Sequence, residues 1–235
     1  MNMDVLHSSM YLQWANPPAS DRFFNYVKEK GFKKSFEKGT TILHEGEIVQ
    51  HGYYIVEGWV ALCFNNPAGD SRIASILGPK RPFGLAAALD QVPIPLSFKA
   101  IRDCEFYLVS RDILIQGMRE DIDLNLEMID SIFTRCKSAY QMINLSTYFP
   151  SEKKLVYFFI TLLQYMEYRE ARDWYELPIN LSHTQIAQLI GLSRVTVCNI
   201  FNQYRSEGKI RSSQQKLFVS NRLINDEYVK LFLET

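Results

Sequence analysis

The chain is poor in cysteine: among 235 residues there are four, Cys63, Cys104, Cys136 and Cys198, and no two share a C-x-x-C spacing. A structural zinc or a cysteine-ligated cluster therefore has no supporting motif, and a disulfide framework is not expected without an export signal. Residues 1–20 show no basic stretch followed by an apolar core. Long apolar runs are also missing. The longest, Leu155–Leu163, is nine residues and includes Thr161, against the roughly 20 that span a bilayer. The expectation is a cytoplasmic protein with reduced thiols and no membrane segment. Net charge is absent too, with 26 basic and 26 acidic residues, which excludes a polycation or an acidic disordered chain. Histidine is scarce at four. A cupin-like metal enzyme, needing several converging imidazoles and a carboxylate, is a distant alternative, because the β-prone region holds only His44 and His51 and no H-x-H. No catalytic residue and no metal ligand stands out.

What is present falls into three parts. Residues 35–110 are punctuated by Gly39, Gly46, Gly52, Gly58, Gly69, Gly78 and Gly84. Between them lie the β-prone runs Thr40–Leu43, Tyr53–Val56, Trp59–Phe64, Ile73–Leu77 and Phe106–Val109. Short strands with turn signals between them predict an all-β barrel or sandwich. The run from Gly84 to Leu89 is rich in Ala and Leu and predicts one short helix within it.

From about Ile113 the pattern is helical. Ile122, Leu126, Ile129, Phe133, Cys136, Tyr140 and Ile143 recur at spacings of 4, 3, 4, 3, 4 and 3, the period of a coiled-coil seam. A second stripe comprises Leu124, Met128, Ile132, Met142 and Leu145. The seam predicts a homodimer axis, with burial inside one chain as the alternative. Pro150 ends this helix, and Ser151 reads as the N-cap of another from Glu152 to about Tyr168.

The most informative stretch is Ser182 to Ile200. Ser182 and Gln185 have the spacing of a capping box, Ala187 is small where a helix crosses, and Gly191 follows at a tight turn. Ser193 caps a second helix whose inner face is Val197, Ile200 and Tyr204. These intervals meet the needs of a helix-turn-helix. The outer face of the second helix then carries Arg194, Val195, Cys198, Asn199 and Asn202, with Thr196 near its start. Residues 181–222 contain six basic side chains and one acidic, an excess suited to phosphate contact. Lys209–Arg211 and Lys216–Val219 flank Ser212–Gln215 and read as a β-hairpin wing.

Taken in order, this chain resembles the CRP/FNR family of bacterial transcription regulators. The anchors are Gly46-Glu47, Tyr54-Ile55-Val56-Glu57-Gly58, Phe83-Gly84 and the helix-turn-helix. The resemblance implies an α+β chain: a double-stranded β-helix (β-roll) like cyclic-nucleotide-binding domains, a long dimerisation helix and a C-terminal winged helix-turn-helix. The expected domains are 1–118, 119–147 and 148–235. It further implies a homodimer on a palindromic operator of double-stranded DNA and contact with RNA polymerase. DNA contacts are expected from Ser182, His183, Thr184, Ser193, Arg194, Val195, Thr196, Cys198, Asn199, Asn202 and Arg211, with His183 at a place where the family often sets a basic residue against the backbone.

The departures matter as much. Family members that bind cyclic AMP follow the cassette glycine with a glutamate and place an arginine about ten residues on. Here those places hold Leu85 and the run Ile94-Pro95-Leu96-Ser97, while Ala139 and Tyr140 replace a threonine and a serine of the helix. Cyclic AMP is accordingly not expected as a cofactor; nor is an iron–sulfur cluster, since residues 1–40 hold no cysteine, nor haem, for which the β-prone region offers only the isolated His44 and His51. A small apolar or aromatic effector of unknown identity is expected at Phe83, Gly84, Leu85, Ala86, Ala87, Ala88, Lys99 and Tyr140. The alternatives are a filled core without an effector, or a thiol-redox switch at Cys136. In the recognition helix Val195 and Asn199 replace a glutamate and an arginine, which predicts a more A·T-rich half-site.

Overall fold

The computed structural model describes residues 18–65, 71–166 and 172–225. They divide between Cys136 and Lys137 into two compact units. The division falls inside one long helix.

The N-terminal unit opens with helix α1 (Asp21–Lys30), which the sequence reading missed. Ser20 caps it by accepting from the Phe23 amide, and Phe23 and Val27, one turn apart, are buried. Eight strands follow: β1 (Phe32–Phe36), β2 (Thr41–Leu43), β3 (His51–Glu57), β4 (Val60–Asn65), β5 (Ser71–Leu77), β6 (Pro82–Phe83), β7 (Ser97–Ala100) and β8 (Cys104–Ser110). They form two antiparallel four-stranded sheets, ordered β1-β8-β3-β6 and β2-β7-β4-β5. The five β-prone runs all lie in or overlap strands, with ends shifted by up to two residues. Three strands were not anticipated. β1 is almost wholly exposed and lysine-rich, β6 is two residues long and β7 four, so none carries a strong periodic signal. The turn expected at Gly69 lies outside the described residues.

The core of this unit is an aromatic stack. The Phe83 ring lies 4.7 Å from that of Tyr53 and 5.1 Å from that of Phe98, both near-parallel, with Phe106 edge-on at 5.5 Å. Pairing of β3 with β6 sets Tyr53 opposite Phe83. Such contacts contribute about 0.5–1.5 kcal/mol each beyond area burial. Gly58, between β3 and β4, has φ +97°, and a Cβ there would stand 2.3 Å from the Asp103 carbonyl oxygen. Only glycine fits that turn.

The short helix α2 (Leu85–Asp90) follows Gly84, and α3 (Arg111–Glu120) follows β8. Asp121 starts α4 (Ile122–Tyr148): its Oδ1 accepts from the Asp123 and Leu124 amides and from Arg22. Those hydrogen bonds, the Leu124 amide foremost, hold the Asp121 carboxyl below the ordinary value.

In the C-terminal unit α5 (Ser151–Leu163) is buried from Leu155 to Leu163, which explains the apolar run. Its cap corrects the sequence reading. Pro150 is the N-cap, Ser151 is already helical, and no side chain caps this end. The helix ends at Leu163 rather than running to about Tyr168, a residue outside the described set. The unit continues with β9 (Trp174–Glu176), α6 (His183–Ile190), α7 (Arg194–Ser206), β10 (Ile210–Ser213) and β11 (Lys216–Ser220). The last two form the expected hairpin, and β9 adds a third strand in the order β10-β11-β9. Among the described residues no helix is long and apolar enough to cross a membrane.

If Phe83 is the centre of the N-terminal core, Phe83→Ala should lower stability by about 3–5 kcal/mol. Chemical denaturation of the purified protein measures this; a change below about 1 kcal/mol would place Phe83 outside the core.

Candidate nucleic-acid interface and effector region

The helix-turn-helix is built from local chemistry. Ser182 caps α6: its Oγ accepts from the Gln185 amide at 3.2 Å, and the Gln185 Oε1 accepts from the Ser182 amide at 2.9 Å. Two otherwise unsatisfied helix-end donors are thereby paired. Gly191 ends α6 in the left-handed region at φ +70°. The Leu192 amide turns back to donate to the Ala187 carbonyl at 3.0 Å. Ser193 caps α7 by accepting from the Thr196 amide at 3.0 Å. Ala187, Val197, Ile200, Phe201 and Tyr204 are buried, and Phe201 meets Phe159 of α5 edge-on at 5.9 Å.

This packing leaves one face of α7 outside. Arg194, Val195, Asn199 and Asn202 are exposed, Val195 at 69%. Thr196 and Cys198 are half-buried, while Ser182, Thr184 and Ser193 are exposed beside them. Cys198 is not turned freely outward, since its sulfur lies 3.0 Å from His183 Nδ1. His183 packs its ring on Phe201 at 4.6 Å. Burial first, then the Arg205 and Arg194 charges, push its pKa below the ordinary value. The neutral form of the His183 ring is thereby favoured.

On the wing Arg211 is clamped. Its guanidinium lies 4.3 Å from the Trp174 ring and 5.4 Å from the Phe218 ring. Trp174 was missed because β9 joins the hairpin from about 35 residues upstream. The hairpin turns through Gln214 and Gln215, both at positive φ, and Asn180 Nδ2 donates to the Gln215 carbonyl at 2.6 Å. The local positive excess is smaller than a count over 181–222 implies. Lys209 pairs with Glu207 at 2.6 Å, and Lys216 pairs with Glu176, outside that window, at 2.8 Å.

The effector residues expected from sequence differ in exposure. Phe83, Gly84, Leu85 and Ala88 are buried, Ala87 is half-buried and Ala86 is exposed. Lys99 is exposed while its neighbours Phe98 and Ala100 are buried. Strand alternation therefore turns it away from Phe83, on which Phe98 stacks. Tyr140 is exposed on α4 and belongs to the other compact unit. The N-terminal unit does contain a cavity of about 70 Å³ lined by Pro18, Phe23, Pro82, Leu85, Met128 and Ser131, among others. Of the eight expected residues only Leu85 borders it.

The seam residues of α4 share one property. Ile122, Leu126, Ile129, Phe133, Tyr140 and Ile143 are between 42% and 73% exposed, and Cys136 is exposed among them. The second stripe is divided: Leu124, Met128 and Leu145 are buried and Met142 half-buried, but Ile132 is exposed. Cys63 and Cys104 are buried, and burial raises the pKa of both thiols. No cluster of three or more potential metal ligands occurs among the described residues.

Because the capping box is complete, Ser182→Ala should cost about 1 kcal/mol. Thermal unfolding of wild type and variant checks it; an unchanged Tm would show the cap to be idle.

Comparison with known proteins agrees with this anatomy. Residues 33–121 match a cyclic nucleotide-binding domain model and residues 153–222 a Crp-like helix-turn-helix domain model. The chain is 25% identical over 190 residues to the global nitrogen regulator of Synechocystis, covering 80% of this chain and 84% of that protein. It is 23% identical over 179 residues to the cyclic AMP receptor protein of Thermus thermophilus, covering 76% and 79%. FixK2 of Bradyrhizobium japonicum shares the fold with a TM-score of 0.72 at 19% identity, covering 83% of this chain and 96% of that one. These relatives are regulators rather than enzymes. The chain belongs to the CRP/FNR family of DNA-binding transcription regulators.

Proposed function

We propose that this regulator binds an inverted repeat as a homodimer, with α7 in the major groove and the α4 seam as the dimer axis. The observation that carries this reading is the exposed seam itself. Seven residues at heptad spacing, six of them large and apolar, line one face of α4 and are exposed among the described residues. A contiguous apolar stripe on a monomer marks an interaction surface, and heptad spacing suits a second copy of the same helix.

Base reading falls to the exposed residues of α7. Arg194 suits guanine O6 and N7, Asn199 and Asn202 suit adenine, and Val195 suits a thymine methyl. Ser182, Thr184, Ser193, Thr196 and the clamped Arg211 serve the phosphate backbone. Contact with RNA polymerase belongs to the same proposal.

The sensing half admits three readings. The effector-gated reading finds support in the mainly apolar wall of the cavity between α1, Pro82–Leu85 and α4. Its 70 Å³ is smaller than the roughly 150 Å³ of an engineered cavity that admits benzene. An aromatic effector would have to move Phe23 or Met128. The effector-independent reading is favoured by the closed stack of Tyr53, Phe83 and Phe98. Cyclic AMP suits neither, since residues 84–97 contain no basic side chain. A thiol-switched form would use Cys136, exposed on the seam. DNA affinity of dialysed protein, with and without a small-molecule extract of cells, separates the first two: a gain with extract supports gating, and equal affinity supports independence.

Phe133→Asp should weaken self-association by about 2 kcal/mol or more and abolish tight binding to a duplex with two half-sites. Sedimentation equilibrium reads the first effect and fluorescence anisotropy the second. An undiminished dimer would remove α4 as the axis. Arg194→Ala should lose discrimination at one base pair, about 1–3 kcal/mol. Arg211→Ala should weaken all duplexes alike and reduce the salt slope by about 1. Reversed behaviour would exchange their roles.

A further inference from the structure

The contact between His183 and Cys198 joins the first turn of α6 to the outer flank of α7. It rests on two half-buried side chains, and the ring is held from another side by Phe201. We propose that Cys198 is a positioning residue for His183 and reads no base: its S–H donates to Nδ1, so that Nε2 carries the ring proton and donates to a backbone phosphate oxygen. This rests on the DNA-binding reading above.

The chemistry follows from the inventory of each group. A neutral imidazole has one donor nitrogen and one acceptor nitrogen, and the partner of one decides the role of the other. A thiol donor at Nδ1 selects the Nε2–H form. The charged groups acting on this ring are Arg194 and Arg205, both on α7, and with burial they disfavour an added proton. A neutral donor at the start of α6 suits this place, because the first helix of a helix-turn-helix crosses the phosphate backbone. It adds a directional hydrogen bond without adding a fourth cation beside Arg194, Arg205 and Arg211. The geometry also explains why Cys198 is half-buried where Asn199 and Asn202 are exposed.

The test has one arm without DNA and one with it. In the free protein, two-dimensional ¹H–¹⁵N spectra of the imidazole, assigned with His183→Gln, should show the Nε2–H form. In Cys198→Ala the ring should shift to a mixture of both forms, and Cys198→Ser, which keeps a donor, should retain the wild-type form. A wild-type Nδ1–H form, or a ring unchanged in Cys198→Ala, would overturn the proposal.

With DNA, Cys198→Ala should weaken binding about tenfold on an operator duplex and on a scrambled duplex of equal length. Cys198→Ser, which keeps a donor to Nδ1, should recover most of that loss. The double variant Cys198→Ala/His183→Ala should bind no worse than His183→Ala alone. Additive losses, or a loss confined to one base pair, would make Cys198 an independent or base-reading contact and overturn the proposal. If wild-type protein binds neither duplex, the DNA-binding reading fails and the phosphate role fails with it. The free-protein arm then still decides the tautomer.

Discussion

A helix with apolar side chains on two faces leaves one of them in water unless both are covered, and among the described residues only one such face of α4 is covered. That constraint organises this molecule. Helix α4 runs for 27 residues, buries Leu124, Met128 and Leu145, and leaves Ile122, Leu126, Ile129, Phe133, Tyr140 and Ile143 exposed. The exposed stripe has heptad spacing, so a partner helix of the same sequence can cover it at little geometric cost. A two-fold pair of chains would carry two copies of α7, which is what reading of an inverted repeat needs.

The same economy appears in the DNA-binding half. Each helix of the helix-turn-helix is capped at its N-terminus by a side chain within three residues: Ser182 with Gln185, and Ser193 with Thr196. With its first turn capped and Val197, Ile200 and Tyr204 buried, α7 is held without Arg194, Val195, Asn199 or Asn202. These are left for other work. Cys198 is the exception on that face, engaged by His183.

Legibility in the sequence followed the range of the interaction. The helix-turn-helix was readable because caps, a small residue and a turn glycine act over three or four positions. The seam of α4 was readable because its period persists through seven residues. Helix α1 went unread although Ser20, Phe23 and Val27 carry a local signal. At the expected effector region side-chain direction was not legible, because it depends on β6 and β7, strands of two and four residues with no usable periodicity. The pairing of Tyr53 with Phe83 buries the aromatic ring expected to meet a ligand, and the alternation of β7 sends Lys99 outward. At the wing, Trp174 and Glu176 reach Arg211 and Lys216 through β9, a distance in sequence that no window of charge counting covers. Ser151 was a plausible cap by type, but the helix already begins there and Pro150 precedes it.

The account joins two claims, a dimer through α4 and base reading through α7, and one measurement meets both. Purified full-length protein should be used to select duplexes from a random library, with sequencing of the bound pool. The account predicts an enriched inverted repeat with half-sites about 10 base pairs apart, centre to centre. A pool enriched in a single half-site would contradict the dimer, and a pool with no enriched sequence would contradict base reading by α7.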